Sequence, residues 1–326
     1  MSCTLASNGI AFEKYVIHKD YHVTMWKDGR EITLIEEEAK NILDTDFLAG
    51  SLAFSRDTKH NHWLHVAIHI GLKILYFFRK KPIDLDICHG VIILGAKKDP
   101  VLSHPYLIAH SIFEGICTAK RDHISEVDVT ELLIYRPKDE KIRARICENA
   151  ERTAFVKKKS QRTALSPEKK SHFSWKDLIV SGFRNRKRHQ FCQEPTDEVK
   201  NRTALIAADL LLGTQLLNEK GSLRPLFCSA YTMAILQGSI LTEQCQGDKG
   251  FSEGLTRLDL AAKIKKCFDK KASFPENSTE RALQECYWSN KIIRVDARYA
   301  MSPLVSRMLD KLSCEWYIPL PPQAHP

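Results

Sequence analysis

The run Ile87-Cys88-His89-Gly90-Val91-Ile92-Ile93-Leu94 is apolar at almost every position and stops at Gly95. A strand with one wet face alternates polar and apolar residues, so an unbroken apolar run predicts a strand buried on both faces. It demands a sheet that packs against other layers, and it places one imidazole, His89, inside that sheet. A histidine there is either a core residue with a satisfied ring or a functional one.

The neighbouring segments extend the pattern. Lys97-Lys98-Asp99-Pro100 reads as a turn, 107–116 as a second strand and 129–135 as a third, stopped by Arg136-Pro137. Gly115 marks a bulge or a close backbone approach. Three strands over a short span with tight turns predict an antiparallel meander.

Helical patterns dominate the rest. Glu31-Ile32-Thr33-Leu34-Ile35 reads as a short strand or a helix start, 36–47 as helix, and 63–78 as an amphipathic helix with Asn61 as a possible cap. His65, His69 and Lys73 form one polar stripe on that helix. The stripe fits a helix packed on the core; a metal pair lacks a third ligand nearby, and a peripheral membrane contact is the other alternative. Further helices are expected at 138–154, 197–218, from Cys228 to about 241, at 257–268 and 279–288, and from Ser302, where Pro303 suits a first turn. The expected class is α+β, a small antiparallel sheet packed against helices. The expected organisation is a mainly helical N-terminal extension at 1–80, a core at 81–245 with a basic insertion at 155–191, and a C-terminal helical region at 246–326 packed on the core.

Composition narrows the function classes. The chain has 326 residues, 43% hydrophobic and 27% charged, which suffices for a substantial core without disulfide staples. Its ten cysteines are scattered with no CxxC pair, which argues against a structural zinc site of usual spacing. The first residues lack a basic start followed by a long apolar run, so no signal peptide is expected, and scattered thiols suit a reducing, cytoplasmic setting. The apolar stretch 63–78 is too short and too polar for a membrane span. The net charge of +9 is concentrated. Lys157 to Arg188 holds Lys157, Lys158, Lys159, Arg162, Lys169, Lys170, Lys176, Arg184, Arg186, Lys187 and Arg188, opposed only by Glu168 and Asp177. Such a stretch is a solvated linker or a contact for nucleic acid or an anionic membrane. Its aromatics, Phe173, Trp175, Phe183 and Phe191, suit base stacking or anchoring of a loop.

One segment carries chemistry. In Arg224-Pro225-Leu226-Phe227-Cys228-Ser229-Ala230-Tyr231, a cysteine stands where an apolar run turns into a helix. The positive end of the helix dipole favours a thiolate there, and the first backbone N–H groups can stabilise an oxyanion. A buried structural cysteine is the alternative. A nucleophilic cysteine needs a base and a group to orient that base. His89 is the candidate base. Cys88 is excluded as its partner because adjacent strand residues point to opposite faces. His110 and Glu114 share a face of the next strand but stand about 13 Å apart, so only one of them can sit behind His89. His110, in mid-strand, is the candidate third member and Glu114 the alternative.

The order His89-Gly90-Val91-Ile92, Ile108-Ala109-His110-Ser111 with Glu114-Gly115-Ile116, Leu132-Leu133-Ile134-Tyr135-Arg136-Pro137, and Phe227-Cys228-Ser229 resembles the circularly permuted papain-like hydrolases. These are the permuted NlpC-type, YiiX-like proteins, relatives of lecithin retinol acyltransferase. The resemblance covers roughly residues 82–241 and implies a permuted papain-like fold for the core. It implies Cys228 as nucleophile, His89 as base and His110 as the polar third residue, a position that is often Glu in YiiX-like members. It implies a cysteine hydrolase or acyltransferase that needs no metal or organic cofactor. Its substrates would carry amide or ester bonds: peptides, peptidoglycan fragments, lipids or modified proteins. The competing expectation is a non-catalytic module that binds nucleic acid or an anionic membrane through Lys157–Arg188.

Overall fold

The computed structural model describes residues 10–57, 86–96, 106–112, 115–121, 129–156 and 194–314. The amphipathic segment 63–78, the turn at 97–100, Glu114 and the basic stretch 157–188 lie outside them.

Among the described residues one sheet of nine strands organises the chain. The strands are β1 (Phe12–His18), β2 (Val23–Lys27), β3 (Arg30–Thr33), β4 (Leu52–Asp57), β5 (Ile87–Ala96), β6 (Tyr106–Ile112), β7 (Gly115–Arg121), β8 (Val129–Pro137) and β9 (Phe155–Val156). Their spatial order is β3-β2-β1-β8-β4-β5-β6-β7-β9, and every pairing is antiparallel except the short β7–β9 pair. Seven helices accompany them: α1 (Glu36–Asp44), α2 (Glu140–Thr153), α3 (Asp197–Leu211), α4 (Cys228–Glu243), α5 (Arg257–Cys267), α6 (Thr279–Ser289) and α7 (Ser302–Cys314).

The apolar run of β5 is buried on both faces because each face has its own cover. Leu52, Phe54, Ile92, Leu94, Leu133 and Tyr135 share a core with residues of α2 to α7. Ala53, Val91, Ile93, Leu132 and Ile134 pack instead under Ala39, Ile42 and Leu43 of α1, with Leu48 beside them. The alternation along β4 and β8 divides the two cores as the period of two requires. Local signals set most helix starts. Asp139 caps α2 through the N–H groups of Lys141 and Ile142, Thr196 caps α3, Thr256 caps α5 and Ser278 caps α6.

Several expectations are corrected. The described part of the expected N-terminal helical extension, 10–57, gives four strands to the common sheet and one short helix, and β1 and β4 flank β8 on either side. The sheet therefore runs across the expected boundary at 80/81 and is not small. The single strand expected at 107–116 is two strands, β6 and β7, paired in register from Tyr106↔Arg121 to Ile112↔Gly115. The one local signal for the reversal is Gly115, which opens β7 and which reads equally as a bulge or a close backbone approach. The meander is β5-β6-β7, and β8 lies on the other side of β4. The helix expected at 197–218 ends at Leu211, and Gly213 with φ 66° turns the chain away.

Among the described residues no helix is long and apolar enough to cross a membrane.

Candidate active site

Three polar side chains meet where β5, β6 and the start of α4 come together. The β5–β6 pairing runs from Ala96↔Tyr106 to Ile92↔Ala109, and beyond it β5 continues back to Ile87 and β6 on to Ile112. The first turn of α4 packs against this end.

His89 is half-buried on β5, opposite Ser55 of β4. The β4–β5 register shifts there: Ser55 faces His89, but Arg56 faces Ile87, which makes Cys88 the extra residue of a bulge. A bulge twists the strand locally and re-aims the side chain beside it. His89 Nε2 lies 3.2 Å from His110 Nδ1, with the two rings edge to face at 71°. His110 is only 3% exposed and sits opposite Cys117 of β7. One of the two facing nitrogens donates and the other accepts, so the pair shares a single proton.

Cys228 is the first residue of α4, preceded by Phe227 in extended conformation at φ −84° and ψ 169°. No side chain caps this helix, so its first N–H groups are left for other acceptors. Burial pushes the Cys228 thiol up. The His89 charge, a hydrogen bond from the His89 side chain, and the backbone N–H groups of Gly90 and Ser229 pull it down further, and the balance lies below the ordinary thiol range. Burial drives other thiols the opposite way. Cys147 is pushed up to about 11, Cys267 and Cys286 to about 12, and Cys245 higher still. Of these five thiols, Cys228 is the one shifted toward ionisation.

The packing of α4 fixes this placement. Every residue from Ser229 to Thr242 is buried. Gly238 admits the side chain of Leu210: a Cβ there would come within 2.3 Å of Leu210 Cδ1. Gln237 Nε2 donates to the carbonyls of Ile292 and Val295, at 2.8 and 2.7 Å. The Tyr231 hydroxyl lies 3.1 Å from Thr153 Oγ1 on α2. At the front, the Ser111 hydroxyl donates to the Leu226 carbonyl and ties β6 to the segment that enters α4.

The structure thus brings Cys228, His89 and His110 together; Glu114 lies outside the described residues. Two contributors escaped the sequence reading. Gly90 lets α4 approach, and its signal was a glycine beside the strand histidine. Ser111 anchors the approach, and its signal was a hydroxyl in an otherwise apolar strand next to His110. Among the described residues no three His, Cys, Asp or Glu side chains converge as metal ligands. No protein-family model, curated protein or solved structure matches the chain.

Proposed function

We propose that this protein is a cysteine-dependent hydrolase or acyltransferase acting on amide or ester bonds, built as a permuted papain-like core. The observation that carries the reading is Cys228 at an uncapped helix start, hydrogen-bonded to His89, which is itself held by His110. The chain order supports it as well: the base on β5 comes first, the third residue on β6 follows, and the nucleophile arrives last on α4.

With His89 Nε2 occupied by His110, Nδ1 is the nitrogen that receives the Cys228 proton. The sulfur then bonds to the substrate carbonyl carbon, and the carbonyl π pair moves onto oxygen. The N–H groups at the start of α4 meet that oxyanion. Collapse restores the carbonyl and breaks the bond to the amine or alcohol, which leaves with the proton from His89. Water, or another hydroxyl or amine, gives a proton to His89 and attacks the thioester, and Cys228 departs as thiolate. Throughout, the Nε2–H of His89 donates to Nδ1 of His110 while its Nδ1 gains and loses the proton, so the third residue orients the base without adding negative charge.

The test is labelling by a thiol-directed acyl electrophile followed by peptide mapping. Label should concentrate at Cys228 and vanish in Cys228→Ala and in His89→Ala. Label spread over the other cysteines, or unchanged in His89→Ala, would reject the reading. Binding of nucleic acid or anionic membrane through Lys157–Arg188 concerns residues outside those described, and no observation favours it here.

A further inference from the structure

A cleft of about 330 Å³ opens between the start of α3, the segment 218–226 and the short turn at Ala297–Tyr299. Its wall carries four cations, Arg202, Lys220, Arg224 and Arg298, against two carboxylates, Glu198 and Glu219. The volume stands at the lower end of the roughly 300–1,000 Å³ typical of small-molecule sites.

Arg224 is the decisive group. It is 7% exposed, and its Nε and Nη2 donate to a carbonyl oxygen, that of Leu217, at 3.1 and 3.0 Å. Among the described residues no carboxylate lies within ion-pair distance of it, and its Nη1 has no protein acceptor. The neighbouring acids are taken. Arg257 grips Asp209 through Nε and Nη2, and Arg202 pairs with Glu198 at 2.7 Å and Asp296 at 3.2 Å. Burial lowers the Arg224 guanidinium to about 10; Asp209 opposes that, while Arg202 and Arg257 add to it. The group still carries its charge at neutral pH. Asp209 and Asp296 act on this buried cation only at a distance; such a charge is costly, and an anion in direct contact reduces the cost.

We propose that this cleft binds a phosphate group, free or carried by a lipid headgroup. Cations converge on it from α3, from the 220–224 segment and from the Ala297–Tyr299 turn. A phosphate offers three acceptor oxygens to such an arrangement, where a carboxylate offers two. Pro225 and Leu226 line the same cleft and lead directly to Cys228. Four residues of chain separate Arg224 from Cys228, so their backbones stand at most about 14 Å apart. The proposal stands whether or not Cys228 is a nucleophile.

The experiment is calorimetric titration of the full chain with inorganic phosphate in one arm and soluble dihexanoyl phosphatidic acid in the other. Wild-type protein should bind at least one saturably; tighter binding in one arm identifies the free or the lipid-borne form. Arg224→Gln should weaken binding at least tenfold. Lys220 is exposed, so Lys220→Glu keeps the fold and should also weaken binding severalfold, which keeps the test decisive if Arg224→Gln does not fold. No saturable binding in either arm, or wild-type affinity in Lys220→Glu, overturns the proposal.

Discussion

Gly90 and Ser229 meet backbone to backbone. A Cβ on Gly90 would stand 3.3 Å from Ser229 Cα and 3.0 Å from Cε1 of Phe54. The strand that bears His89 and the helix that begins with Cys228 touch at this point because the residue between them has no side chain. The same closeness lets the Gly90 N–H reach the Cys228 sulfur.

Gly90→Ala should therefore act on the site as well as on stability. Overpacking of this kind costs about 1–3 kcal/mol. A helix start pushed away by a few tenths of an ångström should slow reaction at Cys228, by less than the roughly hundredfold that a 1 Å misplacement costs. Urea unfolding and the iodoacetamide rate, measured on the same preparation, check both; a rate equal to wild type would show that the contact does not position the thiol.

The pH dependence of alkylation should show a low thiol pKa. The value is depressed, so thiolate persists as pH falls through the ordinary range near 8.5 and disappears only below it. In His89→Ala the burial that raises the thiol remains while the charge and hydrogen bond of His89 are lost, so the midpoint should move up. Iodoacetamide rates from pH 5 to 10 read both midpoints. A wild-type midpoint at or above 8.5 would contradict the site's electrostatics.

His110 should behave as a positioning residue. His110→Ala removes the 3.2 Å partner of His89 Nε2 and should lower turnover of an acyl substrate by about 10²-fold, at the lower edge of what acid–base groups contribute. His110→Gln keeps an acceptor oxygen and should recover part of the loss. Steady-state kcat for the two variants makes the comparison, and equal losses would point to packing as the cause.

The Asp209–Arg257 pair should hold the segment that leads into α4. Asp209 is fully buried; it also accepts from the Leu217 N–H at 2.9 Å, and Arg257 donates to the Leu217 carbonyl at 2.8 Å. Asp209→Ala leaves Arg257 half-buried without its partner and should cost about 3–5 kcal/mol, whereas Asp209→Leu with Arg257→Met should restore much of that. Denaturant unfolding of the single and double variants settles it.

How much of this was legible beforehand depended on the range of the interaction. Helix α2, with its Asp139 cap, and helices α5 to α7 show their limits within a few neighbouring residues, through caps and apolar spacing. The apolar run around Ile92 declared a fully buried strand for the same reason. Cys228 before a helix, and His89 and His110 in buried strands, were readable as candidates because their residue types do not fit their surroundings without a partner. Strands β1, β2 and β4 went unread because short runs such as Leu52-Ala53-Phe54, buried at every position, show no period that separates strand from helix, and the β6–β7 reversal because its one mark, Gly115 after Glu114, reads equally as a bulge.

Chain composition and local periodicity thus determined the material: a buried strand with one imidazole, a helix opening on a thiol, and the order in which they occur. Only the tertiary structure decided that they touch. That contact depends on non-local pairings, with β8 inserted between β1 and β4, a bulge at Cys88 that turns His89, and a close approach that Gly90 permits. Each is a steric agreement between segments distant in the chain, and no local preference of either segment encodes it.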